Sequence, residues 1–152
     1  MTLRAQIALA VWSCGCMPPD AKQPKSDPDD TALVHAWRIE AYLLSKHTSL
    51  SDEDAIRHRD RTVTITQAGY VTPWHGTCEE SASLRRSRPL AEVAAELLID
   101  RSRVLRLGFT DPLVEYRLTC NDIERRTPAL TVYVANAHAL TCFGGICYAL
   151  VH

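Results

Sequence analysis

From residue 37 the chain alternates between apolar and polar positions. Trp37, Ile39, Ala41 and Leu43 share one parity against Arg38, Glu40 and Tyr42, which predicts a half-buried strand with those four residues on one face. Ser51 is a candidate N-cap, followed by Asp52, Glu53 and Asp54. Carboxylates in a first turn favour helix, so a short helix is expected within residues 49–58. Thr62 to Thr66 is β-branched throughout and alternates again, predicting a second strand that Gly69 ends. Tyr70 to Cys78 contains Pro73 and Gly76 and suits an edge strand or an irregular crossing. The period then changes. Leu90, Val93, Ala94, Leu97 and Leu98 fall at helical spacing, with Pro89 able to occupy the first turn. Val104 to Leu107 is expected to be a short strand stopped by Gly108. Val114, Tyr116, Leu118 and Cys120 alternate with Glu115, Arg117 and Thr119 and predict a strong strand. Leu130 to Ala135 and Leu140 to Val151 are expected to form a final antiparallel pair around Asn136, Ala137 and His138. With no βαβ rhythm and no internal repeat, the fold class is mainly β (α+β): a small antiparallel sheet or small barrel with one or two short helices.

The segment before this pattern reads as an address. Met1 to Cys16 has a polar start carrying Arg4, an apolar stretch from Ala5 to Trp12, and then Ser13-Cys14-Gly15-Cys16. That is the layout of a secretory signal. A cysteine after small residues resembles the lipobox of bacterial lipoproteins, whose cysteine is acylated. Two registers compete. A cut before Cys14 sets Val11 and Ser13 upstream but leaves bulky Trp12 between them; a cut before Cys16 has the better Gly15 and the poorer Ser13. Cys14 is slightly preferred. A buried or interfacial N-terminal helix is the plainer alternative. Met17 to Thr31 holds four prolines, four aspartates and two lysines, too little apolar surface to offset its ordering entropy. The chain thus divides into a leader with lipobox (1–16), a tether (17–31) and a β-rich globular domain (32–152).

The formal charge of −1 gives no reason to expect nucleic acid as a partner. Of six cysteines, four (Cys78, Cys120, Cys142 and Cys147) fall in the globular region. They lack the paired knuckles of structural zinc, and an even number suits two disulfides in an oxidising compartment. A Cys78–Cys120 bridge and a small loop from Cys142 to Cys147 are the favoured arrangement, although spacing leaves three pairings open. Trp74-His75-Gly76-Thr77-Cys78 places a histidine near a cysteine, but His35, His47, His58, His138 and His152 complete no ligand motif, so neither metal nor cofactor is expected. No nucleophile or hydrolase motif occurs, and no catalytic residue is assigned. Tyr70, Trp74 and Tyr116 are candidate ligand-lining residues, with core packing as the plainer role. Three arginine groups (Arg57, Arg59 and Arg61; Arg85, Arg86 and Arg88; Arg101, Arg103 and Arg106) are read mainly as a solvated surface balanced by acids.

The order of these elements, with Trp37, the Ser51-Asp52-Glu53-Asp54 cap, Cys78 and Cys120, resembles a loose group of small proteobacterial lipoproteins, some with lipocalin-like half barrels. The resemblance covers about residues 35 to 151 and is one of spacing. It implies a lipocalin-like half barrel facing the periplasm, held to the membrane by a lipid anchor. The expected function is a binding or structural role in the cell envelope, toward an unknown small ligand or envelope protein. The alternatives are an inhibitor of a partner enzyme such as a lysozyme, and an envelope enzyme using Asp111, Glu115 or a histidine.

Overall fold

The computed structural model describes residues 31–121 and 129–152. The leader, Cys14, Cys16 and the tether up to residue 30 lie outside the described residues. Among the described residues nine strands form one sheet: β1 (Ala36–Leu44), β2 (Thr62–Ile65), β3 (Tyr70–Thr72), β4 (Gly76–Cys78), β5 (Ser81–Arg88), β6 (Leu113–Cys120), β7 (Leu130–Ala135), β8 (His138–Phe143) and β9 (Ile146–Val151). Helix α1 (Asp52–Ile56) follows β1, and α2 (Leu90–Glu96) and α3 (Arg101–Arg106) lie between β5 and β6. The sheet order is β4-β3-β2-β1-β9-β8-β7-β6-β5. Every pairing is antiparallel.

That order forces the sheet to curl. β4 and β5 are its two ends, yet only Glu79 and Glu80 separate them in the chain. The edges therefore meet. The Ser81 N–H donates to the Ala68 carbonyl at 2.8 Å and the Asn121 N–H to the Glu80 carbonyl at 2.9 Å. Cys78 on β4 is bridged to Cys120 on β6 across the same seam. The result is a nearly closed, barrel-like antiparallel sheet, and the mainly β expectation and the half-barrel architecture both hold.

Two cores divide along the faces of the sheet. Inside lie Trp37, Ile39, Val63, Ile65, Tyr70, Tyr116, Leu118, Leu130, Val132, Tyr148 and Leu150, with Ala55 of α1. Outside, α2 and α3 cover Leu113, Tyr133, Leu140 and Ala149 with Leu90, Val93, Ala94 and Val104. Trp37 is fully buried, and its indole N–H donates to the Leu33 carbonyl at 3.0 Å. Glu115 is a carboxylate buried on the outer face; Arg86 and Arg88 pair with it at 2.8 and 2.9 Å. Burial, and next the Glu115 charge, push the neighbouring Tyr133 phenol up to about 12.

Four expectations are corrected. The β1 register shifts between Ile39 and Ala41, so a bulge turns the strand over: Trp37 and Ile39 face inward, Ala41 and Leu43 outward. Residues 104–107 belong to or end α3 and form no strand. Asp100 caps that helix by accepting the Ser102 N–H at 2.8 Å, and only Val104 of the helix is buried. Leu98, expected on the α2 face, instead ends the turn with a φ of 56° and is 40% exposed. The last apolar run breaks at Gly144-Gly145 into two strands, giving two successive hairpins. One strand had no sequence signal: β5, exposed along nearly its whole length.

Candidate functional site

Where the β3–β4 turn crosses the β8–β9 hairpin, three aromatic rings lie nearly parallel. Phe143 pairs with Ile146 and Thr141 with Tyr148, so Phe143 and Tyr148 sit diagonally on one face of the hairpin, a spacing that long side chains bridge. Trp74 reaches across from the turn. Its ring is 5.0 Å from Tyr148 at 16° and 5.8 Å from Phe143 at 10°. Tyr148 is 1% exposed and Phe143 39%, so the stack runs from the interior to solvent.

Two imidazoles complete the cluster edge-on. His58 meets Trp74 at 5.7 Å and Tyr148 at 5.6 Å; His75 meets Phe143 at 4.9 Å. An edge presented to a ring face is a favourable quadrupole arrangement. Local chemistry sets both positions. Ser51 and Asp54 form a reciprocal capping box that starts α1, and Ala55 locks the helix to the interior. His58 leaves that helix inward. The His75 backbone N–H donates to Thr72 Oγ1 at 2.9 Å, which fixes the turn.

The polar atoms of the cluster are under-satisfied. His58 Nδ1, Trp74 Nε1 and His75 Nδ1 are buried and meet no hydrogen-bond partner among the described residues. Such atoms are uncommon, because a buried donor or acceptor left unpaired costs about 1–3 kcal/mol. Burial lowers the pKa of both histidines, with Arg61 and Arg57 adding to the effect at His58. Neutral rings at pH 7 offer both donors and acceptors. The cluster can therefore stack a flat group and meet its hydroxyl or amide substituents.

Of the three candidate lining residues, only Trp74 lies in this mouth. Tyr70 and Tyr116 are each 1% exposed within the interior core. Tyr70 stands opposite Cys78 on β4, and the Arg85 guanidinium lies 5.9 Å from the Tyr116 ring. The four globular-region cysteines are bridged as Cys78–Cys120 and Cys142–Cys147. Asp111 accepts the Leu90 N–H at 2.9 Å, and Glu115 is held by its two arginines; both carboxylates serve structure. Several of the arginines are held in ion pairs: Arg57 with Asp54, Arg86 and Arg88 with Glu115, and Arg101 with Asp111. Sequence reasoning missed His58, Phe143 and Tyr148. A phenylalanine directly before Gly144-Gly145 marks a hairpin tip, and that was the one available signal. No described helix is long and apolar enough to cross a membrane.

Compared with models of known protein families, with characterised proteins and with solved structures, the chain matches none.

Proposed function

We propose that this chain is an exported, membrane-tethered binding protein of a bacterial cell envelope, in the manner of the small lipoproteins it resembles. Its ligand carries a flat ring with polar substituents and enters at the Trp74 mouth. One observation carries this reading: an aromatic stack with a solvent-exposed end, beside three buried ring nitrogens that lack partners. A ring ligand offers both the stacking surface and the missing hydrogen bonds. The two bridges are consistent with an oxidising compartment, and the apolar leader supplies the route to it.

The ring nitrogens are enclosed, so the β3–β4 turn must shift for a ligand to reach them. Gly76 sits at the end of that turn with a φ of 76° and open space around its Cα. It is the natural pivot.

Native mass spectrometry of the full chain extracted from membranes tests the proposal. A ring-bearing molecule should co-purify with the wild type and be lost in Trp74→Ala. A bare chain, or a ligand retained equally by Trp74→Ala, would overturn it. Recovery of a partner enzyme in place of a small molecule would also overturn the ring-ligand reading, in favour of an inhibitor.

A further inference from the structure

The bulge in β1 borders a second feature. Glu40, Ala41, Tyr42, Asp52, Arg59 and Arg103 line a cleft of about 280 Å³. Three segments far apart in sequence meet there: the bulge, the start of α1 with the loop after it, and α3. The Ile39 N–H donates to the Arg61 carbonyl at 2.9 Å, and the Asp60 N–H donates back to the Ile39 carbonyl at 3.0 Å. These bonds pin the segment carrying Arg59 against the bulge.

The charges of this cleft are incompletely used. The Tyr42 hydroxyl donates to Asp52 at 2.9 Å. That bond raises the phenol's pKa from its ordinary value, while the charges of Arg103 and Arg59 pull the other way. Both guanidiniums line the same cleft as that hydroxyl. Neither pairs with a described acid, and Glu40 pairs with no described base. Two cations without ion pairs, Glu40 without one, and Asp52, which accepts the Tyr42 hydroxyl, line one small concavity.

A simple anion would engage the arginines but meet Glu40 unfavourably, and a simple cation would do the reverse. A molecule carrying both charges satisfies all three groups. We propose that this cleft binds a small zwitterion, with an anionic oxygen group held between Arg59 and Arg103 and an ammonium turned toward Glu40. A free α-amino acid has this chemistry, and so does a phosphoethanolamine headgroup. The proposal does not depend on the Trp74 mouth.

Calorimetric titration of the full chain with alanine, O-phosphoethanolamine, acetate and methylammonium tests it. At least one zwitterion should saturate, about tenfold or more tighter than acetate or methylammonium, a difference that one lost charged contact can supply. Alanine binding alone identifies a free amino acid; phosphoethanolamine binding alone identifies a lipid headgroup. Arg59→Ala/Arg103→Ala should weaken the bound zwitterion about tenfold or more, and Glu40→Gln should bring it down to the acetate level. All three side chains lie at the surface, so thermal melts of these variants should match the wild type. Absence of saturation, acetate binding as tight as either zwitterion, or unchanged affinity in the double arginine variant would each overturn the proposal.

Discussion

Glu115 shows how one residue can look catalytic in sequence and prove structural in space. Its carboxylate is buried but meets two guanidiniums, and Arg88 also reaches Glu96 at 2.9 Å. Glu115→Ala should therefore destabilise the fold by about 2 kcal/mol, short of the penalty for a stranded buried ion. Arg88 keeps a second partner and Arg86 can turn to water. Urea unfolding measures this. The histidines make a second residue-scale prediction. Burial depresses the folded-state pKa of His35, His58 and His75 below the ordinary 6.5. The unfolded chain therefore binds protons first as the pH falls below 6.5. Stability should be flat above pH 7 and decline from there toward pH 5, and His58→Gln/His75→Gln should flatten that decline. Denaturation midpoints across pH 5 to 8 check the slope; a stability that rises on acidification would contradict the assignment.

At the scale of elements, the seam between β4 and β5 is the part most sensitive to change. A Cβ at Gly69 would collide with the Cys78 carbonyl oxygen, and that neighbour is backbone in a bridged strand. Gly69→Ala should cost about 1–3 kcal/mol or more and expose Cys78–Cys120 to reductants. The two bridges should differ in worth. The Cys78–Cys120 separation is 42 residues and the Cys142–Cys147 separation 5. Loop-closure entropy alone gives about 4 kcal/mol for the first and about 2 for the second, and paired Cys→Ala variants under chemical denaturation should rank accordingly. The same elements show what was legible in the sequence. β2, β6 and β7 each bury alternate or continuous apolar residues, so their period was visible. β5 (SASLRRSR) has water on most of its surface and hence no period at all. The Val104–Leu107 run looks like a strand because three of its four residues are apolar, yet Asp100 had already capped a helix there. The candidate site was legible only at Trp74, since His58, Phe143 and Tyr148 come together through the curl of the sheet. The zwitterion cleft depends on a bulge that alternation cannot reveal, because the pattern from Trp37 to Leu43 continues unbroken across it.

For the whole molecule, the proposed lipid anchor is testable apart from binding. Palmitate should label the wild-type chain and not the Cys14→Ala/Cys16→Ala variant, as read by metabolic labelling in a Gram-negative host. An unlabelled wild type would overturn the lipid anchor, and label retained in the double variant would overturn acylation at Cys14 or Cys16. Within the domain, His35 and His152 stack at 4.1 Å with only 4° between their planes, so the chain's last residue lies beside the point where it enters β1. All but one of the strand pairings join successive strands, and the exception is β1 with β9, which brings together residues as distant in sequence as Arg38 and Val151. The topology is thus a ring that happens to be cut between β9 and β1. A circular permutant, with His152 linked to the segment before His35 and new ends placed between Glu79 and Glu80, would convert the domain into an uninterrupted meander from β5 through β9 and β1 to β4. That permutant makes the long β1–β9 pairing local and leaves only the sparser β4–β5 seam and the Cys78–Cys120 bridge between distant segments, so it should refold faster than the natural order while keeping the same sheet.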